Sequence, residues 1–121
     1  MEHFSAQQES SRPLRVGEQL RRELTMLLRN EVKDPRISEI IIYDVVVTKD
    51  LSLARVYFSP SNIQQDAAES FKGLESATGF LRTQLSRKLN LRKMPDLRFI
   101  IDDTELKGDR IEQLIQKSLN K

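Results

Sequence analysis

Cysteine is absent from this chain of 121 residues, and its single histidine is at position 3. Without cysteine the chain has no disulfides, no thiolate metal ligands and no thiol nucleophile. One histidine, in a segment we expect to be mobile, cannot supply a His-based metal cluster or a catalytic triad. We therefore predict no metal, no cofactor and no catalytic residues.

Glycine is also scarce, with four residues spread along the chain, so neither G-x-x-x-x-G-K-[ST] nor G-x-G-x-x-G occurs and no phosphate cradle is built. The closest acidic residues, Asp102, Asp103 and Glu105, lack the spacing of a calcium loop, and we interpret them as a solvated turn. Serine and threonine hydroxyls have no base nearby to activate them. We predict that the protein is not an enzyme and has no small-molecule substrate.

Long apolar runs are missing too: no stretch approaches the roughly eighteen residues of a membrane span. Residues 1–11 are polar and acidic, without the pattern of a secretory signal, and we expect a disordered tail there. The expectation is a cytoplasmic monomer that does not contact membranes.

Charge is unevenly distributed along the chain, although the net charge is only +2. Residues 12–33 carry six basic side chains against three acidic ones, and residues 72–98 carry seven against two. Two basic stretches predict a surface that attracts polyanions, while the acidic remainder limits indiscriminate binding. Composition alone leaves open that both stretches are ordinary solvated faces.

A first amphipathic helix is predicted from Pro13 to a point before Asp34-Pro35. Its apolar stripe has helical spacing and consists of Val16, Leu20, Leu24, Leu27 and Leu28. The opposite side carries Arg15, Arg22, Arg29 and Lys33. Glu18 shares that basic side and could neutralise it, so a solvated face and a nucleic-acid contact are equally open.

Two strands are predicted next, at residues 40–48 and 53–58. The first is a β-branched run, and the second alternates apolar and mixed residues. Lys49-Asp50 is too short a break for anything but an antiparallel hairpin. Phe58 is predicted in the core, as are Phe71 and Phe99, whereas Tyr43 and Tyr57 are ambiguous.

The next helical stretch has a glycine, Gly79, in its middle, which costs about 1 kcal/mol relative to alanine. Asp66 and Glu69 resemble a capping pair at its start. The inner stripe before the glycine is taken to be Ala67, Phe71, Leu74 and Thr78, and the stripe after it Leu81, Leu85 and Leu89. These stripes do not share one phase. We therefore predict a kink or break at Gly79 that turns Phe80 inward rather than presenting it to a base, and a second helix stopped by Pro95.

A third strand is predicted around Leu97, Phe99 and Ile101, followed by a last helix capped by Asp109. The fold class is α+β: a three-stranded sheet with helices packed on one face, in the order α-β-β-α-kink-α-β, plus a C-terminal helix. This is the order of the bacterial-type, or type II, KH domain. The predicted division is a tail at 1–11, a KH-like RNA-binding domain at 12–103, and a C-terminal helix and tail at 104–121.

The predicted RNA-binding site lies at the Gly79 junction and in the basic segment behind it. A KH domain clamps a single strand with a G-x-x-G junction, whereas this chain has Ser76-Ala77-Thr78-Gly79. The candidate residues are Ala77, Thr78, Gly79, Arg82, Arg87, Lys88, Arg92 and Lys93. A second set consists of Arg15, Arg22, Arg29 and Arg36, and for Arg36 a structural salt bridge is an equal alternative. The junction either grips RNA or only orients the basic helix, and we favour the second role.

Six segments, in this order, resemble the ribosome-binding factor A family of bacteria. They are "RVGEQLRRELTMLL" (15–28), "DPRI" (34–37), "DLSLARVYFS" (50–59), "ATGFLR" (77–82), "LNLRKMPDLRFIIDD" (89–103) and "GDRIEQLI" (108–115). An A-x-G in place of the first KH glycine is itself typical of that family. The resemblance covers residues 12–116.

The resemblance implies a non-catalytic assembly factor that binds the free or immature small (30S) ribosomal subunit. It further implies a role late in 16S rRNA processing and a link to cold adaptation. Assembly GTPases and small-subunit ribosomal proteins are the further partners implied. The alternative from charge alone is a protein–protein adaptor whose basic helices bind an acidic partner.

Overall fold

The computed structural model describes residues 11–61 and 66–102. They form helix α1 (Ser11–Asn30), strands β1 (Ile40–Val47) and β2 (Leu53–Pro60), helix α2 (Ala67–Leu89) and strand β3 (Asp96–Ile101). This order confirms the predicted α+β, KH-like fold. Ser11, predicted to belong to the tail, begins α1 instead. The rest of that tail and the predicted C-terminal helix lie outside the described residues.

Helix α1 buries the apolar stripe that its spacing predicts. All five stripe residues are at most 6% exposed, and they are Val16, Leu20, Leu24, Leu27 and Leu28. The helix ends at Asn30, before Asp34-Pro35 as predicted, and the amides of Glu31 and Val32 both donate to the Leu27 carbonyl, at 2.9 and 3.2 Å. A tight turn then follows, in which the amides of Ile37 and Ser38 donate to the Asp34 carbonyl.

Helix α1 lies unusually close to the sheet at Gly17. A Cβ atom at this position would stand 2.5 Å from the carbonyl oxygen of Val45, which is shorter than any tolerable contact. Backbone atoms of β1 cannot move away as a flexible side chain would. Gly17 therefore allows α1 to pack directly against β1.

The three strands form one mixed sheet in the order β1-β2-β3. Strand β2 pairs antiparallel with β1, as the hairpin prediction requires, and parallel with β3. The β1–β2 register shifts between Ile42 and Asp44, which makes Tyr43 the extra residue of a β-bulge. The parallel pair needs a long crossover, which α2 supplies.

The core lies between one face of the sheet and the two helices. On β2 the fully buried residues Ala54, Val56 and Phe58 alternate with half-buried ones, so one face of the strand points into the core. The rings of Phe58 and Phe99 meet edge to face, with centroids 6.4 Å apart. Both phenylalanines are core residues as predicted, whereas Phe71 is half-buried at the margin of the core.

Helix α2 is capped at both ends by side-chain or backbone geometry. The Asp66 carboxylate accepts from the Ala68 amide at 2.9 Å, which confirms Asp66 as the N-cap. At the other end Asn90 is left-handed (φ 50°) and donates its amide to the Ser86 carbonyl. The prediction that Pro95 stops this helix is wrong, because the left-handed residue ends it first.

The turn between β1 and β2 is tied together by one carboxylate. Asp50 Oδ1 accepts from the hydroxyls of Thr48 and Ser52, both at 2.7 Å, and from the Ser52 amide at 3.1 Å. These donors, the Thr48 hydroxyl first, lower the pKa of Asp50 to about 2. Leu51 is left-handed (φ 61°) at the tip of this turn.

Candidate nucleic-acid interface

Helix α2 is continuous at Gly79, so the predicted division into two helices there is wrong. Of the predicted inner stripe Ala67, Phe71, Leu74 and Thr78, Leu74 alone is buried. The observed stripe adds the small residues Ser70 and Gly73, which are buried, and Ala77, which is half-buried, in phase with the buried Leu81 and Leu85. A Cβ atom on Gly73 would stand 2.7 Å from Ile37 Cγ2, so glycine is required there for α2 to approach the turn before β1. A single buried stripe therefore runs along the whole helix.

The three residues predicted at the junction occupy the middle of this helix. Ala77 and Thr78 are half-buried, and Gly79 is exposed. Thr78 Oγ1 donates to the Leu74 carbonyl at 2.8 Å and Thr83 Oγ1 to the Gly79 carbonyl at 3.0 Å. A Cβ atom on Gly79 would meet nothing within 4 Å, and its φ is not positive. Neither packing against the described residues nor the backbone conformation requires glycine at position 79.

Phe80 is 45% exposed, so the prediction that it turns inward is wrong. The continuous phase of α2 places it on the outer side of the helix, next to Gly79. The exposed ring of Phe80 and the backbone at Gly79, which no side chain covers, thus lie next to each other on the solvent-facing side of α2.

Arg82 is engaged within the protein. Its guanidinium donates to the carbonyls of Met94 and Pro95, at 3.1 and 3.4 Å, and lies 3.4 Å from Asp96 Oδ1. These contacts join α2 to the segment that leads into β3. Arg82 therefore positions that segment, whatever else it contacts.

Lys88 also has a partner, because its Nζ lies 4.0 Å from Glu23 Oε2 on α1. The remaining three predicted cations differ from it. Arg87, Arg92 and Lys93 are exposed and form no ion pair within residues 11–61 and 66–102. We call these three residues the α2 basic surface.

An open depression of about 350 Å³ lies beside this surface, between α2 and the segment before β3. Its lining residues are Arg82, Thr83, Ser86, Arg87 and Met94. The Arg87 guanidinium, which has no ion pair among the described residues, two hydroxyls and a second guanidinium held by backbone carbonyls make a setting suited to a phosphate group. Thr83, Ser86 and Met94 were not predicted as site residues, because only the left-handed turn at Asn90 brings the 91–95 segment back over the helix.

The second candidate set, on α1 and in the turn after it, also contains arginines with and without an ion-pair partner among the described residues. Arg15, Arg22 and Arg29 are exposed on α1 and have no ion pair with a described residue. Glu18 is bound directly by Arg21, whose Nε lies 3.2 Å away, and interacts with Arg22 only through a weaker electrostatic contribution. The hydrogen bond from Arg21 is also the main reason why the pKa of Glu18 lies below its usual value.

For Arg36 the structure has the salt bridge. Its guanidinium bonds both carboxylate oxygens of Asp34, with Nη2 at 2.7 Å and Nε at 3.1 Å, and its amide also donates to Asp34 at 2.9 Å. These bonds lower the pKa of Asp34. Since Arg36 Cβ also lies near Gly73, this residue holds the turn against α2.

Two structural features bear on other functions. Among the described residues, no group of three or more His, Cys, Asp or Glu side chains could hold a metal ion. Neither described helix combines the length and apolarity needed to cross a bilayer.

Comparison with known proteins gives a consistent result. The family model for ribosome-binding factor A matches residues 12–115. Ribosome-binding factor A from Thioalkalivibrio sulfidiphilus is 44% identical over 109 residues, which cover 90% of this chain and 84% of that protein. The crystal structure of ribosome-binding factor A from Thermus thermophilus matches with a TM-score of 0.66 and 25% identity, over 74% of this chain and 94% of that one.

A second Thermus thermophilus match is a homology model of ribosome-binding factor A fitted into a cryo-EM map of a 30S complex. Its TM-score is 0.54 with 25% identity, over 69% of this chain and 92% of that one.

Proposed function

This chain belongs to the ribosome-binding factor A family, and from that membership we propose that it binds the small ribosomal subunit during assembly. The observation that carries the proposal is the relative from Thermus thermophilus, which is fitted into a map of a 30S complex. The protein acts there without catalysis, late in subunit maturation and 16S rRNA processing, in the cytoplasm. Assembly GTPases and small-subunit ribosomal proteins are its further partners, and it supports growth in the cold.

The α2 basic surface supplies the phosphate contacts in this proposal. Arg87, Arg92 and Lys93 have no acidic partner among the described residues, so binding rRNA breaks no ion pair of theirs. If each contacts one phosphate of a single-stranded segment, the logarithm of affinity falls against the logarithm of salt concentration with a slope of about −2.1, at roughly 0.7 per contact. Adding Arg82 and Lys88 would raise the magnitude to about 3.5, but both would first have to leave their partners.

Gly79 and the residues before it take a different role. The absent side chain leaves the backbone of α2 open to close approach from outside. Ala77 and Thr78 are half-buried and support the helix from within. We propose that α2 orients the α2 basic surface and that rRNA passes directly over Gly79.

Co-sedimentation with immature small subunits at rising salt tests the proposal. The variant Arg87→Glu/Arg92→Glu/Lys93→Glu should bind subunits much more weakly, and the magnitude of its salt slope should fall by about 2.1. The matched control is Lys72→Glu, a reversal on the same helix whose cost is a surface ion pair to Glu69 at 3.6 Å. It should bind like the unmodified protein.

Two results would contradict the proposal at different levels. Wild-type protein that stays in the soluble fraction at low salt would refute small-subunit binding and favour the adaptor alternative. Full binding by the triple variant, with normal helical content by circular dichroism, would refute the α2 basic surface alone. Depletion in cells provides the further test of maturation: precursor 16S rRNA should accumulate, more strongly in the cold.

A further inference from the structure

The sheet has a second face that none of the described helices covers. Helices α1 and α2 pack on the side of Ala54, Val56 and Phe58, and the alternating residues of each strand point to the other side. The side chains on that second face include two acids, Asp44 and Asp96, together with Ile41, Tyr43, Val46, Leu53, Arg55, Tyr57, Arg98 and Ile100. We call it the open sheet face.

Two arginines stand next to each other on the open sheet face. Arg55 and Arg98 are direct partners in the parallel β2–β3 register, and Val46 is the partner of Arg55 on β1. Like charges at directly opposed positions destabilise a sheet. Asp96, two positions before Arg98, lies 3.4 Å from Arg82, and Asp44 stands opposite Tyr57. Neither Arg55 nor Arg98 forms an ion pair with an acid in the described part of the chain, so no direct ion pair there offsets this repulsion. An anionic partner would relieve it.

Two tyrosines lie beside this arginine pair. Tyr57 is two positions after Arg55 on the same strand and face, about 6.8 Å along the strand. The bulge places Tyr43 nearby, where its hydroxyl meets Ser59 Oγ at 3.1 Å. That contact covers Ser59, which is only 5% exposed, while the Tyr43 residue itself stays 38% exposed. Exposed aliphatic residues flank the rings, with Ile41 and Val46 each a little over 40% exposed.

We propose that the open sheet face binds single-stranded RNA, with bases on Tyr43 and Tyr57 and phosphates on Arg55 and Arg98. Aromatic side chains on a sheet, with basic side chains beside them, are what sequence-tolerant single-strand binding uses. An acidic peptide would form ion pairs with the arginines but would leave the tyrosine rings without a stacking partner. This site lies on the side of the sheet away from the helices and is independent of the α2 basic surface.

The composition of the chain provides a direct readout. The sequence has two tyrosines and no tryptophan, so all intrinsic emission excited at the tyrosine band comes from the open sheet face. A base stacked on either ring quenches this emission, whereas RNA bound only at the α2 basic surface leaves it unchanged. The probe is a twelve-nucleotide oligouridine added to the full chain, with free tyrosine amide as the correction for absorption by the RNA.

The key variant is Arg98→Glu, which replaces the like-charge pair by an opposite-charge pair with Arg55 and so protects the fold. Its dissociation constant from quenching should rise about tenfold, the change that corresponds to one charge-assisted hydrogen bond. Its salt slope should shrink by about 1.4 if both arginines are withdrawn from phosphate. The triple variant of the α2 basic surface should retain quenching within about twofold.

Several outcomes would overturn the inference. Saturable RNA binding without quenching, or quenching that Arg98→Glu does not weaken, means that RNA does not bind this face. If quenching appears only after removal of residues 104–121, the chain's own C-terminal segment occupies the face. Loss of quenching in the triple variant would assign the RNA contact to the α2 basic surface. Loss of subunit binding with quenching intact would instead refute the proposed function alone and leave this inference standing.

Discussion

Replacing Gly79 by alanine should stabilise the protein. Gly79 is exposed in the middle of α2, its φ is not positive, and an added Cβ atom meets nothing within 4 Å. The substitution therefore gains helix propensity without a steric cost, and the free energy of unfolding should rise by about 0.5–1 kcal/mol. At roughly 4–8 °C per kcal/mol for a domain of this size, Tm should rise by about 2–8 °C.

The other two glycines in described helices are matched controls. Gly73→Ala places a Cβ atom 2.7 Å from Ile37 Cγ2, and Gly17→Ala places one 2.5 Å from the Val45 carbonyl oxygen. Both should destabilise by about 1–3 kcal/mol, as overpacked core sites do, and Gly17→Ala should cost more because backbone must move. Urea unfolding followed by circular dichroism measures all three variants.

A destabilised Gly79→Ala variant would refute the reasoning, because it would mean that the helix is not regular at this position. The functional half of the prediction has the opposite sign. If rRNA passes over Gly79, the more stable variant should bind immature subunits more weakly than the unmodified protein. Unchanged binding would leave α2 only the role of orienting its cations.

Three further predictions test single side chains. Arg82→Ala should lower the free energy of unfolding by about 1–2 kcal/mol through its lost bonds to the Met94 and Pro95 carbonyls, whereas Arg87→Ala should leave it within about 0.5 kcal/mol. Phe80→Ala should be nearly neutral in urea unfolding, and a loss near the roughly 3 kcal/mol of a core phenylalanine would contradict its exposure. The pKa of Asp50 is lowered in the folded state to about 2 from 3.8, so its contribution is complete above pH 4 and is lost as the pH falls towards 2. Acid titration of the stability of Asp50→Ala should therefore show a smaller loss over that interval than the unmodified chain, and identical curves would count against the turn's hydrogen bonds.

Regular apolar spacing made most of the fold predictable. The stripe of α1 is built from large residues, so its phase could be read directly, and the β-branched run of β1 identified a strand. Apolar spacing could not predict the residue at which α1 or α2 ends. Each end depends on local hydrogen bonds, at the Leu27 carbonyl and at the left-handed Asn90, that propensity does not specify.

The error in α2 has a different physical origin. Helical spacing was assigned through the larger side chains, and the predicted stripe therefore contained Phe71 and Thr78 in place of the smaller Ser70 and Ala77. Ser70 is fully buried and Gly73 is required because the turn at Ile37 comes close to the helix. The contact between the Ile37 turn and α2 is a tertiary contact that the sequence does not show. Without it, the small buried residues are not recognised and the helix is predicted to break at Gly79.

The candidate site was predictable only as a region. Sequence spacing placed Arg87 outward, as it is in the structure. It could not show that Arg82 and Lys88 are engaged by groups remote in sequence, since those contacts depend on the return of the 91–95 segment and on α1 lying beside α2. Of five predicted cations, three are free of ion pairs within the described residues, and these form the α2 basic surface.

The central position of β2 has a consequence for the growing chain. Its antiparallel partner, β1, is synthesised just before it. Its parallel partner, β3 (Asp96–Ile101), is synthesised only after the whole of α2. Until then one edge of β2 has unpaired backbone groups and Phe58 lacks the ring of Phe99. Parallel pairing across so long a loop is slow to form. A nascent chain that stops before Asp96 therefore exposes the unpaired edge of β2, and this is where a chaperone or a second chain would pair first.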